Sequence, residues 1–323
     1  MPKPLIEYRQ HEPFSIQVEL VEGCSLACSF CGINGIRTKP GNLKSADLGM
    51  LSRLAKEIKR VGWKPRIEFA MHGEPSLHPQ VVECIQIFRE QLPKTSLMLT
   101  SNGSGFVGPR IANIEKLFEA GLNCLALDKY DGVNFVTKVE EGLKGYPKIS
   151  VKQYPADKTA TVHKRHKPGT QVVVIIADLL SAKTGNHSLL ANHAGQAAPP
   201  DYSKINSRCT YPFRELSIRW DGNVALCCDD FRGVYKIANI LDMSLDVLWQ
   251  HPRFQAARRK LYHRERDFGP CHGCTAISYR VGFLPDPSGQ DTLPFPDEDD
   301  ALIISQAIAG NSFTLPVLRD WEV

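Results

Sequence analysis

Three cysteines within eight residues, Cys24, Cys28 and Cys31, follow directly on a segment that reads as a β-strand, and they restrict the chain more than any other feature. Their spacing, three residues and then two, differs from the C-x2-C or C-x2-H knuckles by which zinc is usually held. A [4Fe–4S] cube is normally coordinated by four thiolates. Three sulfurs would leave one iron open, and an open position is what a catalytic metal needs. Buried thiols, or zinc completed by a distant residue, are the bland alternatives. A second set stands far downstream as Cys209-x12-Gly222-x4-Cys227, then Cys271-x2-Cys274. Four thiolates there would close either a structural zinc or an iron–sulfur cluster. Cys228 adjoins Cys227 and competes with it as a ligand, whereas Cys84 and Cys124 read as packing residues.

With seven or eight of the ten cysteines in two sets and no secretory signal, metal binding is a better reading than disulfides. A chain of 323 residues, 42% hydrophobic, can bury a full core. Its 39 Lys+Arg against 35 Asp+Glu is too small an excess to argue for a nucleic-acid or membrane partner. No stretch approaches the roughly 18 consecutive apolar residues of a membrane helix, and the N-terminus lacks the apolar core of a signal peptide. A soluble, cytoplasmic protein is expected.

Residues 15–21 alternate in polarity as a half-buried strand does. From Ser45, an expected N-cap, Leu48, Leu51, Leu54 and Ile58 recur at helical spacing until Gly62. Further strands are read at 67–70, 96–100, 124–127, 149–154 and 172–176, and helices at 78–92 and 111–118; the polar run 157–167 shows no clear helix. This alternation predicts an α/β fold, a parallel sheet with helices outside it and the chemistry at the strand C-termini. Residues 183–203 read as a long loop. Two segments, 215–218 and 224–227, then flank Trp220-Asp221-Gly222-Asn223 as a hairpin, and two short helical patterns precede Cys271, which suggests a second, smaller α+β module. The Pro- and acid-rich end is expected to lie on the surface or stay loose.

The pattern C-x3-C-x-aromatic-C at Cys24, Cys28, Phe30 and Cys31 resembles the signature of the radical S-adenosylmethionine (radical SAM) superfamily. The resemblance implies that these cysteines hold a [4Fe–4S] cluster whose open iron takes the methionine part of S-adenosylmethionine. Reductive cleavage would then give a 5′-deoxyadenosyl radical that abstracts a substrate hydrogen. His72-Gly73-Glu74-Pro75, after the second strand, resembles the family's GGE motif, which receives the cofactor's amino group; His72 stands where the family has its first glycine. Thr100-Ser101-Asn102-Gly103, after the third strand, resembles the segment that contacts the ribose and methionine region. Phe30, His72, Gly73, Glu74, Pro75, Ser101 and Asn102 are thus the expected cofactor contacts. Gln153 and Tyr154, and residues 176–178, stand where the family places ribose and adenine contacts. The second cysteine set is similar to the auxiliary-cluster domain called SPASM, in its shortened "twitch" form, since no cysteine follows Cys274. This implies one auxiliary [4Fe–4S] cluster on Cys209, Cys227, Cys271 and Cys274, the glycine register favouring Cys227 over Cys228. The implied organisation is a partial (β/α)6 barrel at 1–182, a connector at 183–205, a SPASM/twitch domain at 206–284 and a tail at 285–323.

This arrangement most closely resembles twitch dehydrogenases that oxidise a secondary alcohol on a cyclitol or aminoglycoside precursor. Two-electron oxidation of a small-molecule alcohol is therefore expected, with an electron donor such as flavodoxin or ferredoxin. An epimerase or isomerase would instead return a hydrogen atom to the substrate radical, and Cys228 and Tyr154 are the candidate catalytic donors. Modification of a peptide or a nucleic acid is a further outcome; the basic runs 164–167 and 258–260 hint at nucleic acid but suit a solvated face as well. A non-catalytic scaffold with zinc in both cysteine sets is the reading of a different class. Should the connector cap the barrel mouth, His187 and His193 would reach substrate, and Asp128, Lys129 and Asp131 after the fourth strand would face the same mouth. Alcohol oxidation also needs a proton acceptor, and no residue announces itself in that role.

Overall fold

A computed structural model of the chain describes residues 12–35, 43–130, 132–156, 165–177, 179, 183–184, 187–188, 193–197 and 209–276. Its first half alternates as the sequence suggests: β1 (Ser15–Val18), β2 (Val21–Glu22), β3 (Lys44–Ser45), α1 (Leu48–Val61), β4 (Arg66–Phe69), α2 (Val81–Gln91), β5 (Leu97–Ser101), α3 (Ala112–Glu119) and β6 (Cys124–Asp128). There follow α4 (Phe135–Leu143), a helix the sequence reading passes over, then β7 (Ser150–Pro155) and β8 (Val172–Ala177). β1, β4, β5, β6 and β8 lie side by side and parallel, with Val18 opposite Phe69, Phe69 opposite Leu99, Ser101 opposite Leu127 and Asp128 opposite Ile176. Strands covered on both faces are apolar along their length, and β8, Val-Val-Val-Ile-Ile-Ala, is buried throughout.

The helices cover one face of this sheet. α1 buries Leu51, Leu54, Ala55 and Ile58, and in α2 Phe88 meets Phe69 edge-on at 5.1 Å between ring centroids. The cap of α1 is Asp47, whose carboxylate accepts from the Met50 N–H at 3.1 Å, and not Ser45, which pairs with Val21 in the β2–β3 ribbon. Gly62, at φ 73°, closes the helix in the left-handed region. The other face carries a smaller apolar cluster of Met98, Cys124, Ala126, Val172, Val174 and Ile176. Cys124 is thus a packing residue, as is Cys84 on α2.

Strand order departs from chain order. The eight-stranded sheet runs β12 (Val224–Ala225), β11 (Glu215–Ile218), β1, β4, β5, β6, β8, β7, so the fifth of the expected strands is the sheet's edge and the sixth lies inside it. Composition explains the exchange: β7 carries Ser150, Lys152, Gln153 and Pro155 and is mostly exposed, which an edge tolerates and a central position does not.

The expected hairpin forms as β11 (Glu215–Ile218) and β12 (Val224–Ala225), but it joins the barrel sheet: β11 runs parallel to β1, with Ser15 opposite Glu215 and Val18 opposite Ile218. α5 (Tyr211–Arg214) precedes it, and α6 (Leu245–Trp249) and α7 (Pro252–Tyr262) send Trp249, Phe254 and Leu261 into the main core. Within the basic run 258–260, Arg258 is no surface charge. Its buried guanidinium lies 4.0 Å from the Trp249 ring centroid and donates to the carbonyls of Pro212 (2.7 Å) and Trp249 (2.8 Å), and burial lowers its pKa to about 9. In the connector, β9 (Lys183–Thr184) and β10 (His187–Ser188) form a short antiparallel pair. Lys164, Asp131, Asp178, the His187 side chain and the C-terminal tail lie outside what the structure describes.

Candidate active site

At the C-terminal ends of the parallel strands lies a cavity of about 280 Å³. Cys24, Cys28 and Cys31, all half-buried, line it on the loop that leaves β2, together with Phe30, His72, Gly73, Glu74, Ser101, Asn102, Asp128 and Tyr130. Hydrogen bonds between loops hold the wall together. The Cys24 sulfur accepts from Asn102 Nδ2 at 3.2 Å and from the Leu26 N–H at 3.4 Å, as a thiolate would. Ser25 donates to Ser104 at 2.7 Å. The Phe30 ring meets Tyr130 at 5.4 Å.

Gly73 has no alternative here. A Cβ on it would fall 1.7 Å from the Val21 carbonyl oxygen, because the loop after β4 presses against the cysteine loop, and the adjacent Glu74 N–H donates to the Gly23 carbonyl at 2.9 Å. Glu74 is buried. Its Oε1 accepts from the Ser76 N–H (3.0 Å), the Ser76 hydroxyl and the Ser101 hydroxyl (2.6 Å), while Oε2 accepts from the Asn102 N–H (2.7 Å). Burial raises its pKa against the pull of these donors. Oε2, with a single protein donor, keeps acceptor capacity for a cation in the cavity, which would restore the ionised form. Asp128, at the end of β6, is pushed up to about 7 by burial and by the carboxylates of Glu74 and Glu68. Pro75 is buried at the start of a short 3-10 turn behind Glu74.

His72 does more than replace a glycine. Its Nε2 donates to the Cys228 carbonyl (3.0 Å), and its Nδ1 bonds the Glu19 carboxyl group (2.9 Å). Its ring meets Phe231, tilted, at 4.3 Å, and His193 stacks on Phe231 at 4.3 Å and 21°. His193 Nδ1 accepts the Gly32 N–H at 2.8 Å, so this ring is neutral, with its proton on Nε2. Burial, aided by the charge on His72, pushes its pKa down to about 4. Of these three rings the sequence reading found two separately and missed Phe231, which no motif marks.

The second cysteine set lies deeper. Cys209, Cys227, Cys271 and Cys274 are all buried, and burial together with the neighbouring thiols and carboxylates raises the pKa of Cys227, Cys271 and Cys274, the last to about 12. Cys227 feels Cys209 and Cys271; Cys228 also feels Cys209, and its thiol lies 3.8 Å from Glu215. Sulfurs so placed would stay protonated on their own, and a polycationic core reverses that preference. Among the described residues no three His, Cys, Asp or Glu side chains converge on a single-ion site. Zinc, with Zn–S bonds of about 2.3 Å, would draw its thiolates to within about 4 Å of one another. Neither Cys228 nor Tyr154 lines the cavity; Tyr154 borders a separate groove of about 360 Å³ beside the edge strand, with Lys152, Arg165 and His166.

A parallel α/β sheet with an open three-thiol loop at its strand ends and a buried four-thiol set beside it defines an iron–sulfur redox enzyme. Comparison with known proteins makes the class specific. Residues 18–136 match the radical SAM superfamily, and residues 209–275 match SPASM, an iron–sulfur cluster-binding domain. The S-adenosyl-L-methionine-dependent 2-deoxy-scyllo-inosamine dehydrogenase of Niallia circulans is 23% identical over 268 residues, 82% of this chain and 94% of its own. The GTP 3′,8-cyclase of Mycobacterium marinum is 30% identical over 155 residues, 44% of this chain and 41% of its own. A crystal structure of BtrN in complex with AdoMet and 2-DOIA superposes with a TM-score of 0.65 at 20% identity, covering 84% of this chain and 97% of that one. The chain carries a radical SAM domain and, C-terminal to it, a SPASM-type cluster-binding domain. No helix of the described residues is long and apolar enough to cross a membrane.

Proposed function

We propose that this enzyme dehydrogenates a secondary alcohol on a small polyhydroxylated molecule. In this reading Cys24, Cys28 and Cys31 hold the S-adenosylmethionine-binding [4Fe–4S] cluster, and Cys209, Cys227, Cys271 and Cys274 hold one auxiliary [4Fe–4S] cluster. The division is a barrel at 1–182, a connector at 183–205 and a twitch-type domain at 206–284. When bound, the cofactors supply a 5′-deoxyadenosyl radical that takes a substrate hydrogen atom and an acceptor for the electron left behind.

The protein's own part is to bind, orient and take a proton. Glu74 Oε2 receives the cofactor's amino group, with Gly73, Ser101 and Asn102 shaping the loops around it, and Phe30 shields the cysteine loop. Asp128, near half-ionised at neutral pH and facing the cavity, takes the hydroxyl proton as the alcohol becomes a ketone. The observation that carries the reading is the single cavity shared by the three-thiol loop and by Phe231 of the cluster-binding domain, in a chain alignable along 94% of an alcohol dehydrogenase. Neither proposed hydrogen-atom donor, Cys228 or Tyr154, lines that cavity, which favours oxidation over epimerisation. A flavodoxin- or ferredoxin-type protein in the cytoplasm is the proposed electron source.

The test is anaerobic reconstitution, chemical reduction and incubation with S-adenosylmethionine and a panel of ring-deuterated cyclitols, aminocyclitols and sugar alcohols, including 2-deoxy-scyllo-inosamine. Deuterium in 5′-deoxyadenosine together with a ketone product is the expected result. Cofactor cleavage without ketone from any member would overturn the alcohol reading.

A further inference from the structure

The turn carrying His193 is wedged between the two cysteine sets. On one side its ring bonds the Gly32 N–H, next to Cys31, and fits there only because Gly32 lacks a side chain: a Cβ would fall 3.0 Å from both His193 Cβ and Phe231 Cγ. On the other side Gly195 presses on the C-x2-C loop, where a Cβ would lie 3.1 Å from the Gly273 carbonyl oxygen. Gln196 completes the clasp, its amide donating to Asp230 (2.9 Å) and accepting the Arg232 N–H (2.7 Å). Three successive residues, His193, Ala194 and Gly195, are left-handed, at φ 47°, 55° and 74°. Two of them carry a Cβ, so the turn is strained and the contacts on its flanks must hold it.

What the strain secures is one atom. With Nδ1 accepting from Gly32, the neutral ring has its proton on Nε2, and among the described residues nothing accepts it. The ring lines the cavity and stacks on Phe231, which also meets His72. Resting on the alcohol-dehydrogenase reading above, we propose that His193 is a substrate-positioning residue, whose Nε2–H donates to a hydroxyl oxygen of the bound alcohol. Its Nδ1 keys the ring to the N-terminal cysteine loop, so the substrate oxygen is registered against both cysteine-bearing regions at once. His193 takes no proton in this role, because its one acceptor nitrogen is occupied.

Two substitutions separate the nitrogens. In His193→Asn the side-chain oxygen can replace Nδ1 toward Gly32, and no donor reaches the ε position; in His193→Gln a donor reaches the ε position and the δ acceptor is lost. Calorimetric titration of the oxidised, cluster-loaded enzyme with S-adenosylmethionine present, using 2-deoxy-scyllo-inosamine or the panel member that wild type binds, measures substrate affinity without turnover. His193→Asn should weaken binding about tenfold, the worth of one hydrogen bond, and leave the electron paramagnetic resonance of the reduced N-terminal cluster unchanged. His193→Gln should bind within about threefold of wild type and shift that resonance. Wild-type affinity in His193→Asn, or equal losses in both variants, overturns the proposal. A wild-type enzyme that binds no alcohol of the panel sinks the functional reading, and this inference with it.

Discussion

The two cysteine regions use the same ligand atom in opposite surroundings. Cys24, Cys28 and Cys31 are half-buried at the rim of a cavity, with a sulfur accepting N–H bonds from a neighbouring loop. Cys209, Cys227, Cys271 and Cys274 are each less than 10% exposed; Cys209 and Cys271 belong to the main apolar core and Cys274 to a small satellite with Ala194 and Ala276. A group that must meet a small molecule needs an open side, whereas one that only exchanges electrons is better insulated. Accessibility, more than ligand identity, distinguishes the two roles.

The largest expected effect tests that division directly. Replacing Cys24, Cys28 and Cys31 together by Ala should reduce cleavage of S-adenosylmethionine to background and lower the iron content from about eight to about four per chain. Loss of all iron would show that the regions are not independent. Cys271→Ala should do the converse: 5′-deoxyadenosine still forms, ketone does not, and the unfolding midpoint falls because a bound cluster no longer stabilises the fold. Ketone formation by that variant at the wild-type rate would remove the electron-accepting role from the buried set.

A smaller effect belongs to the open region alone. Glu74→Gln places an amide among the donors of Ser76, Ser101 and Asn102 and removes the charge facing the cofactor's amino group. Affinity for S-adenosylmethionine should fall about 10- to 100-fold in equilibrium binding, with the auxiliary iron untouched. The mildest effect is a pH dependence. Because burial holds Asp128 up near 7, it is protonated and unable to accept below that pH and ionised above it. Ketone formation should rise several-fold as pH is raised through about 7, and Asp128→Asn should flatten the rise. A rise that persists in Asp128→Asn would assign the proton to another group.

The spacing of Cys24, Cys28 and Cys31 was readable because all three lie on one loop, where ligand geometry is a property of a few consecutive residues. The same holds for the β-α alternation, whose periodicity is local, and for Gly73-Glu74. Where neighbours along the chain were not neighbours in space, the reading failed. The cap of α1 depended on which of Ser45 and Asp47 was free to bond, and Ser45 was taken by the ribbon with Val21. The exchange of β7 and β8 turned on which strand the sheet could bury, a choice two similarly extended segments do not reveal until they compete for one edge.

Pattern along the chain was therefore enough to mark the two cysteine sets and the fold class, since both rest on short-range spacing and on the periodic burial of apolar side chains. Folding alone could assemble the His72–Phe231–His193 wall. Hydrogen bonds hold it across 156 residues, His72 to Cys228, and across 161, Gly32 to His193, and the tautomer of His193 is set by a partner that only packing supplies.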